Sequence, residues 1–278
     1  MLKHTPKFWF WLFTPWLAFN LLFAEQLVFV IDPKMTSDSG AKDLLSLHKA
    51  LENAEHRPFK KPIENRFGAF LYRLADLYLW EIINSTTHVA QHEIFGHGYR
   101  LRDFGKNYFD NIGYRIKVYS GYTSFNIKKT HPFQLSAIDQ AGVEGSAILA
   151  KNIKMSWMKN NRLNPFETSL YLATFNDIYE YILSTKLYAQ EDELSPLDHS
   201  GHDIHDYCVD LNLTYLSSPI KASHLRHQAW INALDPFSYL SLSSFFYYLF
   251  WGREMPLYMI PVCQLKYLPG LRYSLTPF

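Results

Sequence analysis

The sequence predicts a mainly helical α+β fold, on three observations. Over most of the chain, apolar residues recur three and four positions apart, as on one face of a helix; residues 41–55, with Leu44 and Leu51, are an example. The stretch Tyr114–Ile127 alternates instead, is rich in β-branched and aromatic residues and contains Gly121 as a turn, which predicts a β-hairpin. No internal repeat is present, so one large core suits a chain of 278 residues.

Turn and capping residues divide the rest of the chain into further helices. Pro62 is expected to open a second helix that reaches Trp80, and Asn84-Ser85-Thr86-Thr87 supplies capping side chains for a third. The helix Phe237–Trp251 has only about 15 residues, short of the ~20 that span a bilayer, so a buried or interfacial position is expected. The other predicted segments are helices at 134–160, at Phe166–Leu187 and from His202, and an extended or looped Met255–Phe278.

The N-terminus has the pattern of an export segment. A positively charged start precedes the apolar run Phe8–Phe23, and Leu22-Phe23-Ala24 offers a cleavage site before Glu25. We therefore predict that residues 1–24 are a signal peptide, or alternatively an uncleaved N-terminal anchor, and that residues 25–278 form a single domain. The expected location is the periplasm or the outer membrane of a bacterium.

Composition narrows the classes of partner. The 27 Lys and Arg residues balance 26 Asp and Glu residues, so no basic surface for nucleic acid is predicted. Aromatic residues reach 17%, which suits association with a membrane surface and equally suits a dense core. The two cysteines, Cys208 and Cys263, allow one disulfide in an oxidising compartment, and two buried free thiols fit the sequence as well.

One short run carries the residues of a metal site. His92 and His97 are predicted to bind a zinc ion through their imidazoles, and Glu93 is predicted to take a proton from a water molecule. The histidines are five residues apart, about 140° around an ideal helix, so both reach one ion only if the helix is locally widened, as in a π-bulge. Gly96 and Gly98 on either side of His97 lower the cost of that distortion.

The run His92-Glu93-Ile94-Phe95-Gly96-His97 resembles the His-Glu-x-x-Gly-His signature of the dipeptidyl peptidase III family of zinc peptidases. The resemblance implies that His92 and His97 bind zinc, that Glu93 is the general base, and that a Glu on a later helix is the third ligand. It covers about ten residues, and the second motif of that family is absent. What it implies is therefore a glutamate-zincin-like site, with a hairpin between two metal-binding helices, and not the whole family fold or exopeptidase specificity.

Glu144 is the predicted third ligand. It lies in an apolar helix, between Gly142 and Gly145 and close to other small residues. These small residues would let this helix closely approach the helix that carries His92 and His97. A carboxylate buried in such a helix needs a positive partner. The alternative is a solvent-facing Glu, or one in the first turn of the helix.

Other histidines lie near the motif or in a second cluster. His88 is four residues before His92 and could bind a metal together with it, but Glu93 would then point about 100° away from the pair. A supporting bond from His88 to a ligand or to the substrate is therefore the better fit. The alternative is a capping or core histidine. In the cluster Asp198–Tyr207, His202 is predicted to stabilise the oxyanion across the cleft, with His205 and Tyr207 as further candidates. The alternative is a polar loop and helix cap in which Asp203 favours the helix dipole.

The function predicted from these residues is that of an exported zinc metallohydrolase, most readily a peptidase acting on peptides or proteins. Zn²⁺ would be held by His92, His97 and Glu144, with water in the fourth position and Glu93 as the base. One alternative is a non-catalytic exported zinc-binding or scaffold protein. Another is a membrane di-iron oxygenase, suggested by the additional histidine pairs such as His224 and His227.

Overall fold

The structure, a computed structural model, describes residues 29–56, 65–188, 202–215, 220, 222–257, 266–268 and 272–274. Helices dominate and the strands form small antiparallel pairs, so the mainly helical α+β class is confirmed. The predicted signal peptide or anchor, His199 and Cys263 lie outside the described residues.

The helices and strands follow one another along the chain in a simple order. The helices are α1 (Ser37–His56), α2 (Arg66–Ala90), α3 (Gly98–Phe104), α4 (Pro132–Asp139), α5 (Ala141–Asn160), α6 (Thr168–Tyr188), α7 (Asp203–Thr214), α8 (Ala222–Ala229) and α9 (Pro236–Trp251). A π-helical segment, Gln91–His97, joins α2 to α3, and 3₁₀ turns cover Pro165–Glu167 and Trp230–Leu234. The strands are β1 (Phe109–Ile116), β2 (Gly121–Ile127), β3 (Arg162–Leu163), β4 (Met255–Pro256), β5 (Lys266–Leu268) and β6 (Arg272–Ser274).

The helix that carries His92 and His97 is longer than the sequence predicts. α2, the π segment and α3 run without interruption, and the expected capping residues lie inside the helix. The hydroxyls of Thr86 and Thr87 donate to the carbonyls four residues earlier, at 2.9 and 2.8 Å, so they satisfy their polar groups without ending the helix. The cap is instead Asn65, whose side chain accepts from the Phe67 amide at 3.0 Å, and α2 begins at Arg66.

Two other helix predictions can be compared with the structure: the first needs adjustment and the second holds. The helical stretch predicted at 134–160 is divided at Gln140 into α4 and α5. The apolar helix at the C-terminal end is present as α9 and buries one side, with Ser244 and Tyr248 among its buried residues. Within the described residues, no helix combines the length and the apolar character needed to cross a membrane.

The β-hairpin is confirmed and packs on the π segment. β1 and β2 are antiparallel, with Ile116 opposite Gly121 across the turn. A Cβ atom at Gly121 would lie 2.6 Å from Val89 Cγ1 and 2.9 Å from Glu93 Cγ, so only glycine lets the hairpin approach so closely. The start of β2 is thereby fixed beside Glu93.

The largest apolar core lies between α5 and α6 and is covered by α1. Its centre is formed by Ile153, Trp157 and Tyr171, all nearly inaccessible to solvent. A second core joins α2 to α9 through Trp80, Phe166 and Tyr248. These two cores hold α2, α5 and α6 in fixed relation, and the candidate metal centre lies among these three helices.

A buried carboxyl group in this core makes stability depend on pH. Burial raises the pKa of Glu167 to about 8, and the neighbouring Glu52 carboxyl adds to the rise, while the hydrogen bond from the Trp157 indole at 2.6 Å opposes it. Between its ordinary pKa of 4.5 and about 8, Glu167 is protonated in the folded chain and ionised in the unfolded chain. The folded state therefore binds the extra proton, and this group makes stability fall as pH rises through that window.

We expect Glu167→Gln to reduce the slope of the free energy of unfolding against pH by as much as about 1.4 kcal/mol per pH unit. Urea unfolding at several pH values from 5 to 8 measures the slope. Glu144→Gln, at an exposed carboxylate on α5, is the matched control and should keep the original slope. An unchanged slope for Glu167→Gln would show that this carboxyl is ionised in the folded protein.

Candidate metal centre

The π-helical segment brings the two motif histidines together. His92 Nε2 and His97 Nε2 are 3.1 Å apart, although residues five apart on an ideal α-helix diverge by about 140°. The local widening that the spacing predicts is therefore present. Gly96 permits it next to α5, because a Cβ there would lie only 2.6 Å from the Ala141 carbonyl oxygen.

Asp203 completes the cluster. As the first residue of α7, it places Oδ2 2.8 Å from His92 Nε2 and 3.1 Å from His97 Nε2. Ligands around tetrahedral zinc at 2.0–2.1 Å are separated by about 3.3 Å, so these three atoms are close to the spacing that one ion requires. With two imidazoles and one carboxylate, the group fits a zinc site that leaves the fourth position open.

Hydrogen bonds on the far side of each ring fix which nitrogen faces the cluster. The Nδ1–H of His97 donates to the Ile138 carbonyl at 2.7 Å, and the Nδ1–H of His92 donates to Asp177 Oδ2 at 2.9 Å. In the neutral rings both Nε2 lone pairs then point toward Asp203. Three acceptors that converge in this way need a positive charge between them, and such outer bonds are the usual support of metal-binding histidines.

The electrostatics of the cluster favour a cation. Burial alone would raise the pKa of Asp203, but the imidazoles of His97 and His92 outweigh it and hold that pKa well below its usual range. Burial likewise opposes the charged form of His92, yet the carboxylates of Asp177 and Asp203 raise its pKa well above the usual value. All four side chains are largely buried, so this preference for positive charge is only weakly screened by water.

Glu144 does not reach the two histidines, which corrects the prediction that it is the third ligand. Its side chain is 51% exposed and accepts from Arg100 Nη2 at 2.8 Å. The close helix approach expected from the small residues is present, because a Cβ at Gly142 would overlap His92 Nε2 and His97 Nε2. Since Gly142 faces the cluster, Glu144 lies about 200° further around α5 and points away.

His202 caps the helix that carries Asp203. Its Nδ1 accepts from the His205 amide at 3.2 Å, and its Nε2 lies 2.8 Å from Ser184 Oγ. Burial lowers the pKa of His202, so the ring is biased toward the neutral form. Both nitrogens are therefore engaged, and the helix-cap alternative describes His202 better than the predicted oxyanion-stabilising role.

His88 supports the cluster from the neighbouring turn of α2. Its Nε2 lies 3.4 Å from Asp177 Oδ2 and 3.2 Å from Ser146 Oγ. Because Asp177 also holds His92, the contact agrees with the predicted supporting bond more than with a capping histidine. The atoms of His88, His92 and Asp177 also form a second group close enough for an ion.

Sequence reasoning missed three side chains of the centre. The sequence indicates Asp203 only as a residue that favours the dipole of a helix, and no motif marks Asp177 or Tyr181 on α6. The Tyr181 ring stacks on His92 at 5.6 Å between centroids, and its hydroxyl lies 3.4 Å from His92 Nε2. The one available signal was that Asp177 and Tyr181 are four residues apart and so share a helix face.

A cleft of about 410 Å³ opens beside the cluster. Glu93 and His92 line it together with the start of β2 and the inner faces of α2 and α6. Glu93 is buried, and its Oε2 accepts from Thr123 Oγ1 on β2 at 2.7 Å. The hairpin therefore orients the carboxylate that the sequence singled out as a base.

The chain matches no protein-family model, no curated protein and no solved structure in the comparisons made with each.

We expect Asp177→Asn to weaken zinc binding by about 10–100-fold, the usual cost of losing an outer partner of a metal-binding histidine. The amide is a weaker acceptor for the His92 Nδ1–H and removes a negative charge next to the ring. Competition with a fluorescent chelator measures the affinity. Asp38→Asn, an exposed carboxylate paired with Lys42, is the control and should bind zinc as the unsubstituted chain does. Equal affinity of the two variants would remove Asp177 from the centre.

Proposed function

We propose that this protein is a zinc-dependent metallohydrolase with a zincin-like centre, and that it acts on peptides or proteins. The observation that carries the proposal is the convergence of His92 Nε2, His97 Nε2 and Asp203 Oδ2 at the edge of a cleft that also contains Glu93. A structural zinc site is usually closed by four protein ligands, whereas three ligands beside a cleft are typical of catalysis.

The three ligands and Glu93 would have separate roles. His92, His97 and Asp203 would hold Zn²⁺, which would supply Lewis acidity and lower the pKa of the attacking water to about 7. The Glu93 carboxylate would take the proton of the attacking water and pass it to the amine that leaves. Thr123 holds that carboxylate in place, so the base is oriented before a substrate arrives.

Tyr181 is the group best placed to stabilise the negative charge that develops on the substrate carbonyl oxygen. Its hydroxyl lies next to His92 Nε2, and the residue lines the same cleft. Burial raises the pKa of Tyr181 far above its usual value, with the carboxylates of Asp203 and Asp177 adding to the rise, so the phenol keeps its proton and can donate it to a hydrogen bond. This is the role that the sequence assigned to His202.

A peptide is favoured as substrate by the position of the hairpin. Tyr119, Ser120 and Gly121 at its tip form one wall of the cleft. Strand residues beside a cleft can hold an extended peptide by backbone hydrogen bonds.

The proposal also includes export of the protein, with residues 1–24 either cleaved off or kept as an anchor, and contact with a membrane surface. The exposed aromatic residues of α9, Tyr239, Phe250 and Trp251, support the membrane contact.

Metal content measured together with hydrolysis tests the proposal. Purified protein should contain one zinc per chain and should cleave denatured casein, and a chelator should abolish cleavage until zinc is restored. Stoichiometric zinc without cleavage of any polypeptide would favour the scaffold alternative. Two irons per chain would favour an oxygenase, for which the second group, His88, His92 and Asp177, is the supporting observation.

A further inference from the structure

We propose that an apolar pocket at the far end of the cleft binds an apolar side chain of the substrate, Leu or Phe, about six or seven residues from the bond that is cleaved. The proposal rests on the proposed function and names a substrate class for that same site. It is carried by the groove that joins the pocket to the metal centre, by the distance between the two, and by the walls of the pocket.

The cleft beside the metal centre follows two helices that run in the same direction. Asn84 on α2 donates to Ser169 Oγ on α6 at 2.8 Å. One turn further along α2, His88 Nε2 lies 3.4 Å from Asp177 Oδ2, which is two turns further along α6. Away from the metal centre, the cleft reaches Glu81 on α2 and Ser169 on α6. It is therefore a groove along both helices and not a hole beside the histidines alone.

The pocket continues this groove and is apolar. Glu81 and Ser169 line both the cleft and the pocket, so the two adjoin. Leu77 and Phe166 are buried at the base of the pocket, and Phe245 of α9 closes one side. Its volume is about 220 Å³. An apolar cavity of ~150 Å³ already holds benzene, so a Leu or Phe side chain has room here.

The pocket lies about 22 Å from the metal centre along α2, because Leu77 precedes His92 by 15 residues. An extended peptide covers that distance with six or seven residues. Between the two ends, the cleft is lined in part by the small side chains of Ser85 and Ala173, which leave room for a peptide backbone. A substrate whose cleaved bond lies at the metal centre can therefore reach the pocket.

The mouth of the pocket leaves apolar surface in water. Leu74 is 43% exposed and Tyr78 is 66% exposed, and both line the pocket. Covering this surface with an apolar side chain removes apolar area of both partners from water, which is favourable in proportion to the area. Glu81, at the junction with the cleft, would repel an acidic side chain, and an uncharged polar side chain would lose water against the apolar walls.

A set of peptide hydroxamates, bound to the zinc-loaded full chain, measures where the pocket lies. The hydroxamate holds one end of the peptide at the zinc, and a single Leu is moved stepwise away from it in a chain that is otherwise Ser and Gly. Two series, with the hydroxamate at the C-terminal or the N-terminal end, cover both directions of the peptide.

We expect the affinity measured by calorimetry to rise about tenfold when the Leu is about six or seven residues from the hydroxamate in one of the two series. Lys at the same position should give no such rise. The binding measurement requires no turnover, and cleavage of the corresponding peptides without the hydroxamate is measured in parallel.

The variant Leu74→Glu gives the specific readout. A carboxylate at the mouth of the pocket, near Glu81, should abolish the gain from Leu and make Lys the preferred residue at that position, which a merely structural role would not do. Leu79→Glu is the matched control, because it makes the same substitution on α2 at a leucine that is 49% exposed and does not line the pocket. This variant should keep the preference for Leu.

The outcomes separate this proposal from the proposed function. Affinity that does not depend on the position of the Leu, a greater gain from Lys than from Leu, or an unchanged profile in Leu74→Glu would overturn the pocket and leave the hydrolase in place. Position-dependent binding without cleavage of any peptide would support the pocket and count against the peptidase. Failure of the zinc-loaded chain to bind any hydroxamate would overturn both.

Discussion

Replacement of Glu93 by Gln is expected to reduce peptide hydrolysis by about 10²–10⁴-fold while zinc stays bound. A positioned general base typically contributes this much, and the amide cannot take the proton of the attacking water. Glu93 lines the cleft and accepts from Thr123, but it is not among the side chains whose atoms converge as ligands. The rate and the zinc content should therefore separate in this variant.

The measurement is kcat/KM on a fluorogenic peptide together with zinc per chain after dialysis. Glu144→Gln is the matched control, since that carboxylate lies on the exposed side of α5, and its rate should remain that of the unsubstituted chain. Loss of zinc in Glu93→Gln would make Glu93 a ligand. A rate equal to that of the control would remove it from catalysis.

Removal of Asp203 is expected to abolish zinc retention and activity together, whereas removal of Glu144 should affect neither. Asp203 Oδ2 lies within 3.1 Å of both Nε2 atoms, and without it two protein ligands remain, one fewer than a catalytic zinc site normally has. The loss of affinity in Asp203→Ala should exceed the ~10–100-fold expected for an outer partner such as Asp177.

Equilibrium dialysis against a mild chelator compares Asp203→Ala, Asp203→Asn and Glu144→Ala. Asp203→Asn keeps the size and shape of the side chain at the start of α7, so it separates loss of the carboxylate from loss of the fold. Circular dichroism and the melting temperature report on folding. Stoichiometric zinc in both Asp203 variants would refute this ligand assignment, and zinc loss in Glu144→Ala would restore the original one.

The motif His92–His97 shows what local sequence alone can predict. The five-residue spacing of His92 and His97 requires a widened helix, and the structure has a π segment over Gln91–His97. The inference succeeds because the angle between two residues of one helix depends only on their separation. The hairpin and most helix positions follow from periodicity for the same reason.

The threonines before the motif show where local patterns mislead. Thr86 and Thr87 have the chemistry of a helix cap, yet each hydroxyl donates to the carbonyl four residues earlier and the helix continues. The same side chain can satisfy its hydrogen bonds at a helix start or within a helix. Packing of α2 against α6 and α9 decides between the two, and that packing involves residues far along the chain.

The sequence by itself determined the mainly helical class, the pair of histidines with the adjacent Glu93, and the close approach of the glycine-rich helix α5. Only the tertiary structure decided which carboxylate joins the pair. Gly142 turns toward the histidines, which points Glu144 to solvent, while Asp203, 106 residues beyond His97, is brought in by the start of α7. The rotation of a helix about its axis and the arrival of a distant helix end depend on packing over the whole core, and no local spacing encodes either.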